Sequence, residues 1–136
     1  MDGRASQVCI VKFLLDSNII IKAITASNAS LRERLAMCDE GDLVTSAIVY
    51  AEVAHGSEHG KPPPVHILDA FLEDIPVLPF DEAAASAYSK LSFVRASYDR
   101  LIAAHAVALG LTVITDNIRD FDDVAGLPVE NWTLPL

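Results

Sequence analysis

The first apolar run, Val8-Cys9-Ile10-Val11-Lys12-Phe13-Leu14-Leu15, carries seven apolar residues in eight, most of them branched or aromatic. A run without polar alternation predicts a strand buried on both faces, as in a parallel sheet covered by helices. It stops abruptly at Asp16-Ser17-Asn18. Helical spacing then predicts helices over 19–25 and 30–39. The second has Ser30 as its start signal, Glu33 three positions later, apolar Leu31, Leu35 and Cys38 on one face, and Gly41 as its stop. A short strand at 42–45 leads into a helix capped by Ser46 and running to about 55. Ile48, Val49, Ala51 and Val53 form its buried stripe, and Glu52 lies on the same stripe. The connection 56–64, with Gly60 and three consecutive prolines, cannot continue a helix.

Helix resumes over 65–73, and an apolar strand follows at 75–80. Asp81 caps an alanine-rich helix to 93, and a further helix covers 99–109 before Gly110. A β-branched strand at 111–115, a polar loop at Asp116-Asn117, a short helical turn to 123 and an edge strand within 128–132 complete the pattern. Strands alternating with helices predict an α/β fold: three layers, α/β/α, around a central, mainly parallel sheet of four to five strands. No repeat or linker divides the 136 residues, so one domain is expected over 1–136, with 1–9 as a short N-terminal extension. In such sheets the functional crevice lies beyond the carboxyl ends of the strands, where Asp16 and Asp116 stand.

Four places put a carboxylate where packing does not ask for one: Asp16, Glu52, Asp99 and the loop from Asp116 to Asp120. Singly, each has a plainer reading: Asp16 as a helix cap, Asp99 as a charge favoured by a helix start, Asp120 as a solvated loop acid. Glu52, on an apolar face, is the hardest to explain that way. Together, acids drawn to one place repel and stay protonated unless a cation balances them. All the candidate ligands are oxygen donors, so a hard ion such as Mg²⁺ or Mn²⁺ fits, and phosphodiester hydrolysis fits that ion. His55 and His59 have the spacing of helical metal ligands, but Gly56 and Gly60 interrupt the helix, so they are not counted among them. His105 reads as a core or interface histidine and Trp132 as a packing anchor.

Ten basic against nineteen acidic residues give a net charge of −9, the wrong sign for gripping nucleic acid by phosphate neutralisation. The objection is met if the acids converge on divalent metal and a basic partner covers the acidic surface. Cys9 and Cys38 are too few and too far apart for a metal site and are expected to be reduced. The apolar runs are too short to cross a bilayer and residues 1–7 lack the features of a secretory signal, so a cytoplasmic protein without membrane contact is expected.

Leu14-Leu15-Asp16-Ser17-Asn18 resembles the opening signature of PIN domains, and Ser46 through Gly56, with Ala51-Glu52-Val53, resembles the next block of their VapC-like toxin branch. Asp99-Arg100-Leu101-Ile102-Ala103-Ala104-His105-Ala106 is similar to their D-x-x-I-A-A-x-A helix. Thr115-Asp116-Asn117, Arg119-Asp120-Phe121, Gly126-Leu127 and Asn131-Trp132 are similar to their closing segment. The resemblance runs from about residue 11 to 132 and implies a PIN fold, Mg²⁺- or Mn²⁺-dependent cleavage of single-stranded RNA, and homodimerisation. It also implies hetero-oligomeric inhibition by a cognate antitoxin whose tail enters the acidic groove. It makes Asp16 and Asp99 the principal metal ligands, with Glu52 and the Asn117/Asp120 region completing the site. Ser17, Asn18, Thr115 and Asp116 are expected as support.

The chain departs from that pattern in a shorter stretch between Lys90 and Asp99, and in Asn117 where some members have Asp. The second leaves open whether Asp116 or Asp120 supplies the fourth acidic contact. A catalytically impaired PIN-fold binding module and a receiver-like phosphoacceptor domain are the alternatives. The latter needs a lysine late in the sheet, and no lysine follows Lys90.

Overall fold

The computed structural model describes residues 12–92 and 97–135. Five strands, all parallel, form one sheet: β1 (Phe13–Leu15), β2 (Leu43–Ser46), β3 (Val77–Leu78), β4 (Thr112–Ile114) and β5 (Val129–Glu130). Residues 8–11 of the expected opening strand and the 1–9 extension lie outside the described residues. Parallel neighbours require a crossover, and helices fill each of the longer ones. Helices α1 (Ser17–Thr25) and α2 (Ala29–Ala36) join β1 to β2, and α3 (Ala47–Glu58) and α4 (Val65–Phe71) join β2 to β3. Helices α5 (Glu82–Ser89) and α6 (Tyr98–Leu109) join β3 to β4. The sheet order is β3-β2-β1-β4-β5, with Leu14 opposite Val44 on one side and Val113 on the other. The expected helix-covered sheet is therefore present, at the upper end of the expected strand count.

From the central strand β1 the described chain builds outward through β2 and β3, then returns to build β4 and β5 on the other side. The direction of growth reverses between β1 and β4, and at such a switch point the connections leave in opposite directions and open a crevice. Leu14, Leu15, Val44, Val113 and Ile114 are buried beneath it, joined by Ile19, Ile20, Val49 and Ile102 from the helices. Among the described residues no helix is long and apolar enough to cross a membrane.

Several boundaries differ from the sequence expectation for identifiable reasons. Asn28, not Ser30, caps α2, its side-chain oxygen accepting from Leu31 N–H at 2.8 Å while its amide donates to the Thr133 carbonyl. That helix closes at Ala36, three residues before the expected end. The strand expected at 75–80 shrinks to Val77–Leu78 because Pro76 has no N–H to give the ladder and Pro79 closes the other end. Helix α3 continues through Gly56 to Glu58, since one glycine costs a helix only about 1 kcal/mol. On that helix Val49 and Val53 are buried, Ile48 is half-buried, and Ala51 is exposed rather than part of the stripe. Asp81 caps α5 as expected, accepting from Ala84 N–H at 3.0 Å.

Trp132, just past β5, anchors the far side of the sheet. It is 2% exposed, meets Phe13 edge-on at 4.8 Å, donates from Nε1 to Glu130 at 2.8 Å, and carries the Arg34 guanidinium 5.0 Å above its ring. Replacing it leaves a void that edge residues cannot collapse to fill. Trp132→Ala is expected to cost about 3–5 kcal/mol in denaturant unfolding followed by circular dichroism. A loss under about 1 kcal/mol would mean that the ring is not the anchor described.

Candidate active site

The candidate site grows from the carboxyl ends of β1 and β4. β1 is followed directly by Asp16, whose extended backbone (φ −78°, ψ 167°) lets it cap α1. Helix α1 therefore begins at Ser17, two residues earlier than expected, and Ser17 and Asn18 form its first turn. One Asp16 oxygen accepts from Ser17 N–H at 2.8 Å, and the other accepts from the Thr115 hydroxyl at 2.7 Å. Thr115, wholly buried at the end of β4, also accepts from Asn117 N–H at 3.0 Å and so locks the loop to Asp16. The cap reading of Asp16 is thus met by one oxygen, while the other is held by Thr115.

Glu52 lies on α3, half-buried, and its Oε1 accepts from the Ser17 hydroxyl at 2.6 Å, which couples it to the turn that holds Asp16. Asp99 is the second residue of α6. The cap of α6 is Ser97, whose Oγ accepts from Arg100 N–H, so Asp99 is not consumed in capping. Its carboxyl shares a hydrogen bond with Asp120, which sits on the 3₁₀ turn Ile118–Asp120 and also accepts from the Asn117 side-chain amide. Asn18 is exposed at the edge of a neighbouring groove. Asp116 turns to Lys22 on α1, an ion pair of 2.7 Å.

The electrostatics show that these acids share one field. Burial pushes the Asp16 carboxyl up to about 6, with the charges of Glu52 and Asp116 adding to the rise while Thr115 and Ser17 oppose it. Asp99 is pushed up to about 7, first by burial, then by its hydrogen bond with Asp120, then by the charges of Asp16, Asp120 and Glu52. Residues 16, 52, 99 and 120 thus come from four separate elements into mutual repulsion. As placed, no three His, Cys, Asp or Glu side chains among the described residues close tightly enough to enclose an ion. Hydroxyl and amide donors from Ser17, Thr115 and Asn117 engage the acids instead. The donor set is all oxygen and mostly anionic, which suits a hard divalent cation and no softer metal.

Lys22 is the residue the sequence reading passed over. Its signal was a lone lysine within the apolar helix Ile19-Ile20-Ile21-Lys22-Ala23-Ile24. It pairs with Asp116, and Asp120 is the loop acid that meets Asp99. His105 is buried in α6 with its Nδ1 2.8 Å from Ser46 Oγ, and Phe80 meets its ring edge-on at 5.4 Å. Because Ser46 caps α3, His105 ties the helix bearing Asp99 to the helix bearing Glu52. His55 and His59 stack at 4.3 Å, and His59 Nδ1 is bonded to the His55 carbonyl, away from the acids.

The chain matches the PIN domain family across residues 13–127. It is 33% identical over 133 residues to the tRNA(fMet)-specific endonuclease VapC of Shigella flexneri, spanning 91% of this chain and all of that protein. Among solved structures it is similar to VapBC2 from Rickettsia felis bound to a DNA fragment from their promoter: TM-score 0.80, 28% identity, 90% of this chain and 99% of that one. It is also similar to DNA-bound VapBC from Salmonella typhimurium: TM-score 0.78, 30% identity, 90% and 98%.

Asp16 and Asp99 both hold a proton more tightly folded than unfolded. Their contribution to stability is therefore complete below about pH 4 and is lost as pH rises through about 6 to 7. Metal-free protein should melt progressively lower across that window in calorimetry. Asp99→Asn should flatten the decline and raise Tm at pH 8 by about 2–5 °C, the modest size reflecting solvent screening of a half-exposed group. A flat pH profile in the parent protein would remove the repulsion just described.

Proposed function

Because the chain belongs to the PIN-domain family, we propose that it is a divalent-metal-dependent endoribonuclease acting on single-stranded RNA, the toxin of a toxin–antitoxin pair. The single observation that carries the reading is the acid cluster at the switch point, where Asp16 and Asp99 are both pushed up by burial and by the charges of their acidic neighbours, Glu52 among them. Mg²⁺ or Mn²⁺ would be held by Asp16 and Asp99, with Glu52 and Asp120 completing the set. When bound, such an ion activates water and offsets charge developing on phosphate.

The chain's own residues do the positioning. Thr115 and the Ser17 amide keep Asp16 fixed and favour its anionic form against the pull of burial. The Ser17 hydroxyl holds Glu52 at the cluster, where it orients water or accepts its proton. Asn117 holds Asp120 toward Asp99, and Lys22 pairs with Asp116. His105 and Ser46 keep α3 and α6 in register, so the two sides of the site do not drift apart.

The partner follows from charge as well as from relatives. A net charge of −9 gives a surface that a basic tail covers readily and that RNA approaches poorly. The chain is similar to the VapBC assemblies of the comparison, and it is proposed to form a homodimer and to bind a cognate antitoxin.

Asp16→Asn is expected to lower cleavage of a single-stranded RNA in Mn²⁺ by at least about a hundredfold, and chelator should abolish cleavage by the parent protein. Thr115→Val should keep the activity but move its pH onset upward, because Asp16 loses the donor that opposes its raised pKa. Both are read from initial rates against pH. Full activity in Asp16→Asn would sink the assignment.

A further inference from the structure

A groove of about 300 Å³ opens beside the acid cluster, between α1 and α3. It shares Ser17, Asn18 and Glu52 with the site and runs outward to Gly56, Lys61 and Pro62. That volume is at the small end for ligand pockets and suits a group of nucleotide size. Local backbone delivers Lys61 to it. The chain turns back after α3 so that Lys61 N–H donates to the Gly56 carbonyl at 2.9 Å, and His59 N–H donates to the same oxygen at 3.0 Å. The stem of Lys61 lies over Gly56, its Cβ and Cδ 3.7 Å from the point a side chain there would occupy. Ser57 Oγ donates to the Pro63 carbonyl and pins the far side of the turn.

Two cations next to the acids are paired: Lys22 with Asp116 at 2.7 Å and Arg100 with Asp123 at 2.8 Å. Arg119, exposed beside Asp120, lies on the loop side of the cluster and outside the α1–α3 groove. Lys61 has no ion pair with another described residue and is exposed in the groove. An RNA strand lying across the carboxylates meets anions at the reacting phosphate and needs a fixed positive charge beside it to hold the next one. His55 also lines the groove, its ring packed against that of His59.

We propose that Lys61 binds the phosphate adjoining the scissile one, and that the α1–α3 groove seats the flanking nucleotide of single-stranded RNA. This rests on the ribonuclease reading. Lys61 is then a substrate-positioning residue, acting on binding and leaving the chemical step alone.

The test is steady-state cleavage of a single-stranded oligoribonucleotide in Mn²⁺ over a range of salt. Lys61→Ala should raise KM about fivefold, Lys61→Glu more, with kcat within about twofold and Lys61→Arg close to the parent. The slope of log(kcat/KM) against log salt should flatten by about 0.7, the value for one contact to a single strand. Lys12→Ala, at the amino end of β1 and thus at the opposite end of the sheet, should change neither quantity. Anisotropy of the same oligoribonucleotide, fluorescently labelled, on the catalytically silenced Asp99→Asn protein, with and without Lys61→Glu, should give a matching change in Kd. Unchanged KM, Kd and salt slope in Lys61→Glu overturns the groove assignment while leaving the nuclease intact. If the parent cuts no RNA, the ribonuclease reading fails, and the anisotropy pair still decides the groove. If Lys61→Glu leaves RNA untouched and weakens binding of a basic or acidic antitoxin peptide, the groove is a peptide site and the proposal is overturned.

Discussion

Mutual repulsion between carboxylates at one end of a parallel sheet is the constraint around which the rest of this molecule is arranged. Asp16 is 5% exposed and meets the fields of Glu52 and Asp116, while Asp99, held up by burial, lies against Asp120 and within the fields of Asp16 and Glu52. Groups in that state oppose folding unless other contacts outweigh them, and apolar burial is the term large enough to do so. The buried residues directly under the site, Leu14, Leu15, Ile19, Val113 and Ile114, belong to the same short elements that present the acids. The scaffold and the strain are thus built from adjacent positions in the chain.

Hydroxyl groups mediate between the two. Thr115 donates to Asp16 and accepts from Asn117, Ser17 donates to Glu52, and Ser46 both caps α3 and meets His105. Thr115 thereby joins the ends of β1 and β4, Ser17 joins α1 to α3, and Ser46 joins α3 to α6. A hydroxyl stabilises a carboxylate without adding charge, so it orients the acids while leaving their attraction for a cation undiminished. Lys22 adds the one cation of this end of α1, pairing with Asp116 at 2.7 Å while the Asp116 charge still reaches Asp16.

The same surplus explains why an acidic chain can serve a phosphate chemistry. A net charge of −9 disfavours holding phosphates by many surface cations, which gives weight to a few placed ones such as the Lys61 proposed above. The same acidic surface favours a basic protein partner over a polyanion.

The sequence by itself determined the alternation of elements, the end of β1 at Asp16, the cap at Asp81, the importance of Trp132 and the resemblance carried by four motif blocks, because these are properties of neighbouring residues. It misjudged element ends wherever a neighbouring residue outranked the local signal, as Asn28 did over Ser30 by bonding to Thr133 from across the fold. It also could not tell whether Asp99 is spent on capping its helix; Ser97 takes the cap and Asp99 stands in the first turn, within the field of Asp16, Glu52 and Asp120. Only tertiary structure decided that β1 and β4 lie side by side with the switch point between them, that Ser17 reaches Glu52, and that Lys22 pairs with Asp116. Those facts depend on strand order and on contacts between residues 35 to 99 positions apart, and no local pattern encodes which distant partner a side chain will meet.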